Sequence, residues 1–200
     1  MSSQTRRRIA PEDVLPLAQY AKVRDARRRE IIETKKHRRV AVGPFATFYF
    51  ENYQTMLQQV QEMLWIEKGG EAQLADELEA YNPLIPQGNE LVATVMFEIV
   101  DEARRRRALA GLGGVEETIA LEIGGERVPA VPEAGDQVER TTAAGKTSSI
   151  HFLHFRLSEA QAARFRDPSS RIVLSIAHPN YAHMAVLPEA ARQALSADLD

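Results

Sequence analysis

Residues 40–70 read VAVGPFATFYFENYQTMLQQVQEMLWIEKGG, and this stretch decides the fold expected for the chain. Its first eleven residues are rich in β-branched and aromatic side chains and are interrupted by Gly43-Pro44, which predicts an extended segment broken at that point. The residues that follow place apolar side chains at helical spacing as far as Gly69-Gly70, which predicts a helix that ends there. An extended segment therefore leads directly into an amphipathic helix.

The sequence on either side of this stretch predicts an α+β fold. Residues from about Leu15 to Lys36 are rich in helix formers and predict one long helix, with Pro16 tolerated in its first turn. The second half alternates short extended runs with turns, including hairpins at Gly124-Gly125 and Pro179-Asn180. We expect one domain over residues 1–200, in which the long N-terminal helix and two further helices pack against a mainly antiparallel sheet. We also expect residues 1–10 to be disordered and residues 131–147 to form a mobile loop.

Composition excludes several classes of protein. The chain has 200 residues, of which 44% are apolar and 26% are charged, as in a soluble globular domain. It has no cysteine, which rules out disulfides, thiolate zinc sites and iron–sulfur ligation by this chain. No apolar run approaches the ~18 residues that a membrane span needs, and the N-terminus lacks a secretory pattern. These features predict a cytoplasmic protein.

Charge is distributed unevenly along the chain. Residues 1–39 hold twelve Lys and Arg against five acids, whereas the remaining residues hold thirteen against twenty-three. Such a basic segment could bind nucleic acid or an acidic partner, or it could lie on the acidic body of its own chain. No aromatic residue is interleaved with the basic run, as proteins that bind single strands require. The sequence therefore favours the intramolecular interpretation over nucleic-acid binding.

The predicted central helix has an unusual outer face. Residues 40–67 contain no Lys or Arg, and four glutamines occur within residues 54–61. Opposite the apolar stripe lie Glu51, Thr55, Gln58 and Glu62, and the only Trp of the chain, Trp65, lies beside them. Glutamine can hydrogen-bond in both directions without the cost of burying a charge. We expect this face to be covered, either by the first helix with an arginine on Glu51 or Glu62, or by a partner, a second subunit or a ligand.

Three segments carry a resemblance to a known family. They are VAVGPFATFYFENYQTMLQQVQEMLWIE, YNPLIPQGNELVATVMFEI and GKTSSIHFLHFRL, and together they resemble a bacterial family described only as a domain of unknown function. Members are small cytoplasmic proteins whose genes often lie beside a rubrerythrin-like di-iron protein or an iron–sulfur protein. The resemblance implies a redox or peroxide-related setting and no established catalytic residues. The recurring positions of the family match Phe50, Glu51, Asn52, Thr55, Gln59, Glu62, Met63, Tyr81, Asn82, Pro86, Glu90 and Thr94.

Histidines and carboxylates supply the remaining chemical signals. His178 and His183 flank the predicted turn of the last hairpin and fall on one face, where they could share a divalent metal with a third ligand. The alternative is two histidines with hydrogen-bonded rings at a hairpin end. His151 and His154 lie on opposite faces of their strand and cannot share an ion. Glu98 stands in an apolar strand, where it could act as an acid or base or pair with an arginine of the first helix, and we favour the ion pair.

No complete catalytic motif is present. The segment AAGKTSS resembles the end of a phosphate-binding loop but lacks its first glycine and precedes a predicted strand. We therefore expect a non-enzymatic accessory or interaction protein of a redox system, without a cofactor. A rubrerythrin-like di-iron or iron–sulfur protein is the expected partner, and self-association is compatible with the same face. The alternative is a metal-dependent enzyme with a polar site near the C-terminal hairpin. The candidate interaction face comprises Glu51, Asn52, Thr55, Gln58, Glu62, Trp65, Tyr81, Asn82 and Glu98.

Overall fold

The computed structural model of the protein describes residues 6–134 and 145–200. Its helices are α1 Leu17–Lys36, α2 Tyr53–Glu67, α3 Gly70–Tyr81, α4 Glu102–Ala110, α5 Glu159–Arg166 and α6 Glu189–Ser196. Its strands are β1 Arg39–Val42, β2 Ala46–Phe50, β3 Glu90–Phe97, β4 Ile119–Ile123, β5 Glu126–Pro129, β6 Val131–Pro132, β7 Ile150–Arg156, β8 Ile172–His178 and β9 Tyr181–Val186. The long N-terminal helix and the α+β class are confirmed.

The described strands form two antiparallel sheets, where the sequence led us to expect one. The first sheet has five strands in the order β1-β2-β3-β7-β6, and the second has four in the order β5-β4-β8-β9. β3 lies at the centre of the first sheet, between β2 and β7, as its continuous apolar sequence predicts. The alternation of apolar residues predicts strands but does not say which strands pair, and the division into two sheets follows from that pairing.

Two hydrophobic cores lie on the two faces of the five-stranded sheet. The first fills the space between the two sheets and takes alternate residues of β3, such as Leu91 and Val95, together with Leu121 of β4. The second lies on the other face, where Val92 of β3 meets Met56 and other apolar residues of α2. The apolar stripe predicted for the central helix therefore packs on the sheet, and the glutamine-rich side of that helix faces away from it.

The turn between β1 and β2 is held against β9. Gly43 has a φ of +71°, and a Cβ atom at this position would lie 2.5 Å from the Cδ2 atom of His183. The hydroxyl of Tyr181 donates to the carbonyl of Val42 (2.8 Å) and accepts from the amides of Phe45 (2.8 Å) and Ala46 (2.9 Å). One buried phenol thus connects the two sheets at this corner of the molecule.

Parts of the segments that we expected to be disordered or mobile are packed. Ile9 is 1% exposed, and its amide donates to the side chain of Asn82 (2.7 Å). β6 pairs with β7 through the registers Val131↔His154 and Pro132↔Leu153, and Thr147 is buried. These contacts involve residues more than twenty positions apart for β6 and more than seventy for Ile9, so local composition does not reveal them. Residues 1–5 and 135–144 of these two segments lie outside the described residues.

The basic N-terminal segment lies on the acidic body of its own chain, in agreement with the intramolecular interpretation. Arg7 forms an ion pair with Asp200, Arg24 with Glu62, and the buried Arg38 with the buried Asp198. Each pair joins one of the first 39 residues to a carboxylate of the later, acidic part of the chain. Over the described ranges, none of the helices combines the length and the apolarity that crossing a membrane would require.

Candidate functional site

Helix α1 lies across the glutamine-rich face of α2 and is anchored there by one aromatic side chain. All twenty residues of α1 are described, and among them Tyr20 alone is buried. Its hydroxyl donates to Oε1 of Glu62 (2.5 Å), and its ring meets Trp65 edge-on, with 6.1 Å between the ring centroids. A lone aromatic residue in a polar helix, one turn before Arg24, is the sequence signal that would have identified this anchor.

Arg24 provides the arginine that we predicted for this face. Its Nε donates to Oε1 of Glu62 (2.9 Å) and its Nη2 to Oε2 (2.7 Å), and its guanidinium lies 5.5 Å from the centre of the Trp65 ring. The Arg24 hydrogen bond holds the pKa of Glu62 below its ordinary value of 4.5, although burial opposes it. Burial, together with the hydrogen bond to Glu62, raises the pKa of Tyr20 to about 12. Glu62 is therefore a carboxylate, and Tyr20 a neutral phenol, at physiological pH.

Three of the four glutamines make contacts that the fold uses. Gln58 donates to the Tyr20 hydroxyl (2.6 Å), and Gln59 lies 3.5 Å from the hydroxyl of Tyr81. Gln61 is buried and bonds both backbone groups of Leu15, accepting from the N–H (2.9 Å) and donating to the carbonyl (3.0 Å). Gln54 is exposed, and its side chain makes no hydrogen bond within the described part of the chain. The neutral face is explained mainly by the Tyr20 hydroxyl of α1 and by the backbone of Leu15, just before that helix.

Asn52 and Thr55 of the candidate face begin the helix. The side chain of Asn52 accepts from the amide of Thr55 (3.0 Å), and the hydroxyl of Thr55 accepts from the amide of Asn52 (2.9 Å). This reciprocal pair caps α2 at its N-terminus and leaves Thr55 fully buried. Their positions are set by the local requirements of a helix start.

Our placement of Glu51 on the helix face is wrong, and of the two carboxylates predicted to receive an arginine, Glu62 is the one that has it. Because Asn52 is the cap and α2 begins at Tyr53, Glu51 still belongs to the extended chain that leaves β2. Its side chain is buried, and Oε1 accepts from the hydroxyl of Thr94 on β3 (2.8 Å). Oε2 has no hydrogen-bond partner among the described residues. The arginine that reaches Glu51 is Arg38, which donates to its backbone carbonyl (3.0 Å).

The other three members of the candidate face lie outside α2, with Tyr81 and Asn82 adjacent to each other and Glu98 apart from them. Tyr81 ends α3, and burial raises its pKa, while Asn82 bonds the amide and the carbonyl of Ile9 (2.7 and 3.1 Å). Glu98 follows the last residue of β3 and is exposed, so the predicted buried ion pair is wrong. Its carboxylate instead accepts from two hydroxyl groups of β2, those of Thr47 (2.7 Å) and Tyr49 (2.8 Å).

The C-terminal hairpin has the predicted geometry, with His178 opposite Tyr181 and His183 opposite Ile176. His178 lies 3.3 Å through Nε2 from the carbonyl of Gly113, and its Nδ1 accepts from the amide of Asn180 (3.2 Å). His183 is exposed, and its ring centroid lies 4.6 Å from that of Tyr181. Over the described residues, no three His, Asp or Glu side chains form a group that could hold a metal ion. The shared metal stays the alternative to our prediction of no cofactor, and both ring nitrogens of His178 already have protein partners.

His154 belongs to a buried charged cluster that sequence reasoning missed. Its Nδ1 lies 3.0 Å from Oε2 of Glu90, and its Nε2 lies 2.5 Å from Oε2 of Glu133. Burial lowers the pKa of His154, but the hydrogen bonds and charges of Glu90 and Glu133 outweigh it, so its pKa lies above the ordinary value of 6.5. His151, on the opposite face as predicted, approaches Thr147 (3.1 Å) instead. The cluster fastens β6 to the sheet. No local sequence pattern predicts these contacts of His154, because Glu90 and Glu133 are far from it along the chain.

A groove of about 970 Å³ remains between α1 and α2, beyond the Tyr20 contact. Its lining includes Arg27, Ile31 and Thr34 of α1 and Tyr53, Gln54 and Leu57 of α2. Within the described chain, the side chains of Arg27 and Gln54 make no ion pair or hydrogen bond, so their donors are available. The groove therefore combines apolar surface from Ile31 and Leu57 with free polar groups at its edges. That combination suits the binding of an amphipathic segment.

Comparisons with known proteins identify relatives of the whole chain. A family model described as protein of unknown function (DUF3501) matches residues 8–199. The chain is similar to a protein from Burkholderia pseudomallei K96243, whose crystal structure is described as that of a novel protein of unknown function. The two share 36% sequence identity and a TM-score of 0.87, over 96% of this chain and 99% of the other. A search among curated proteins finds no match.

Proposed function

The chain belongs to the family of proteins of unknown function DUF3501, and we propose that it is a non-enzymatic accessory protein that holds a segment of a partner protein in the groove between α1 and α2. The proposal rests mainly on the C-terminal half of α1. Five residues of this half line one wall of the groove, and none of the described residues 27–36 is buried. The five are Arg27, Glu30, Ile31, Glu33 and Thr34. A helix in water normally gains its stability by burying an apolar face. This half of α1 gains little from its own chain and presents its side chains to an occupant.

The chemistry of the groove indicates an amphipathic occupant. Ile31 and Leu57 offer apolar surface, whereas Arg27 offers an unpaired guanidinium and Gln54 an unpaired amide. An occupant with a carboxylate near Arg27 could form a charge-assisted hydrogen bond there. A helix with small apolar residues on one side and an acidic residue at its edge meets these requirements.

A redox system is the first place to look for the partner. The resemblance to a family whose genes lie beside rubrerythrin-like or iron–sulfur proteins supports this choice. An accessory role is also compatible with a chain that has no cysteine for cluster ligation. We therefore propose a rubrerythrin-like di-iron protein as the first candidate and an iron–sulfur protein as the second.

The test is a binding measurement between this protein and a purified rubrerythrin-like protein of the same organism, by calorimetry at low salt. Arg27→Glu reverses a free charge in the groove, and we expect the affinity to fall by about 10-fold or more. Lys22→Glu makes the same charge change on an exposed residue of α1 that does not line the groove. We expect Lys22→Glu to change the affinity by less than about 3-fold, through long-range electrostatics alone.

Comparing the two variants distinguishes binding in the groove from a general attraction to the positive charge of α1. Equal losses in both would assign binding to the general positive charge of α1 and contradict the groove. If neither the rubrerythrin-like nor the iron–sulfur candidate binds the wild-type protein, the proposal of a redox partner is wrong. Thermal unfolding of both variants checks that the helix is still in place.

A further inference from the structure

Strand β9 is an open edge of the four-stranded sheet. It pairs with β8 on one side, and the amide of Leu187, just beyond it, donates to the carbonyl of Ile172 (2.9 Å). Antiparallel pairing alternates, so the backbone groups of odd-numbered residues face β8 and those of Ala182, Met184 and Val186 face away from it. Within the described chain, no further backbone hydrogen bond reaches these three residues. They present a row of free N–H and C=O groups.

The side chains of the same three residues are apolar and exposed. Met184 is 69% exposed and Val186 55%, and Ala182 is exposed beside them. The strand, YAHMAV, contains no Lys, Arg, Asp, Glu, Gly or Pro. Natural proteins usually protect an edge strand with charges, prolines or short length, because a flat apolar edge pairs with other strands.

The edges at the other end of each sheet have that protection. β5, at the far edge of the same sheet, carries Glu126 and Arg127 and ends at Pro129. β6, the edge of the five-stranded sheet, has two residues, of which one is Pro132. The turn after β1 meets β9 at Tyr181, whose hydroxyl it bonds, and at His183, whose ring lies against Gly43. Of these three edge strands, β9 is the one with neither a charged residue nor a proline.

We propose that two copies of the chain associate through β9, pairing antiparallel across a two-fold axis to join their four-stranded sheets. In such a pair, facing residues share one face of the sheet, so Met184 faces the partner subunit's Met184 and Ala182 faces the partner subunit's Val186. The outward N–H and C=O groups of the two strands then form about six hydrogen bonds. The exposed apolar side chains of both copies become one continuous patch.

This interface is independent of the groove, which lies on the helices that cover the five-stranded sheet. A contact of one six-residue strand per copy is smaller than the roughly 1,200 Å² of a standard stable interface. The dimer is therefore weak, and its population depends on protein concentration. Sedimentation velocity from about 10 to 500 μM, a range suited to weak interfaces, should show a monomer–dimer equilibrium.

Two matched substitutions test the edge. Met184→Lys places a charge on the strand, and we expect the dimer dissociation constant to rise by about 10-fold or more. The control is Ile66→Lys on α2, because Ile66 is 66% exposed and Met184 is 69% exposed. This control should leave the dimer dissociation constant within about 2-fold of the wild-type value. A protein that stays monomeric over the whole range overturns the proposal. So does a dimer that tolerates Met184→Lys, since its interface must then lie elsewhere.

Cysteine cross-linking tests the register. The chain has no cysteine, so a single introduced thiol reports only its own surroundings. The Cβ atoms of facing residues in an antiparallel pair lie about 5 Å apart, close to what a disulfide requires. Met184→Cys should form a disulfide dimer under mild oxidation several times faster than Ile66→Cys. Equal rates for the two variants, or faster cross-linking at Ile66, would contradict the two-fold axis at Met184.

Discussion

Removing the carboxylate of Glu62 should loosen α1 from the rest of the molecule. Glu62 accepts hydrogen bonds from Tyr20, Arg24 and Gln58, and Tyr20 is the buried anchor of the helix. In Glu62→Ala, the Tyr20 hydroxyl keeps only its contact with Gln58, and Arg24 loses both of its hydrogen bonds. The substitution therefore breaks the contact that holds α1 in place, while it leaves both hydrophobic cores intact.

The size of the effect follows from the burial of the pair. The side chains of Arg24 and Glu62 are 25% and 21% exposed. Breaking a fully buried pair costs about 3–5 kcal/mol, whereas an exposed pair contributes about 0–1 kcal/mol. Because this pair is only partly buried, its contribution lies between these limits. We therefore expect Glu62→Ala to lower the free energy of unfolding by about 2–3 kcal/mol. For a chain of this length, that corresponds to a fall in Tm of roughly 5–10 °C.

Calorimetry and hydrogen exchange together check this prediction. The control is Glu102→Ala, which removes the ion pair with Arg106. Both side chains of that pair are 72% exposed, so its loss should lower the free energy of unfolding by less than about 1 kcal/mol. Hydrogen exchange should accelerate across residues 17–36 in Glu62→Ala, with little change in β3. Because the pKa of Glu62 is depressed, its contribution is present above pH 4.5 and disappears as the pH falls below that value. A Tm within about 1 °C of the Glu102→Ala control would refute the reasoning.

Two further predictions concern histidines. The pKa of His154 is raised in the folded protein, so the stability that it contributes is present below pH 6.5 and is lost as the pH rises through the folded pKa. Denaturant unfolding of wild type and His154→Gln should therefore differ most in mild acid and converge in base, and a constant difference would contradict the Glu90–His154–Glu133 cluster. For His178 and His183, we expect elemental analysis of the purified protein to find no stoichiometric divalent metal. A stoichiometric ion that disappears on the double change His178→Ala and His183→Ala would overturn the non-enzymatic proposal.

The order and type of the elements could be predicted from the sequence because their causes are local. α2 ends at Glu67 with Lys68 as its left-handed cap, within two residues of the predicted stop at Gly69-Gly70, and these glycines instead begin α3. Asn52 and Ser158 begin their helices through bonds to residues three positions away. The hairpin at Pro179-Asn180 follows from two extended runs separated by a two-residue turn. Periodicity also separated the apolar stripe of α2 from its glutamine-rich face. The sequence further indicated that this face would be covered, since it carries hardly any charge.

What covers that face, and where each carboxylate finds its partner, was decided only by the tertiary structure. Gln61 meets Leu15 across 46 positions, and His154 meets Glu90 across 64. Glu51 and Glu98 each gained hydroxyl partners from a neighbouring strand, although an arginine was chemically as reasonable for both. A side chain's type limits the partners it can accept, but many partners of one type are present in a chain of 200 residues. The choice among them follows from strand pairing and helix packing, which depend on the whole chain at once.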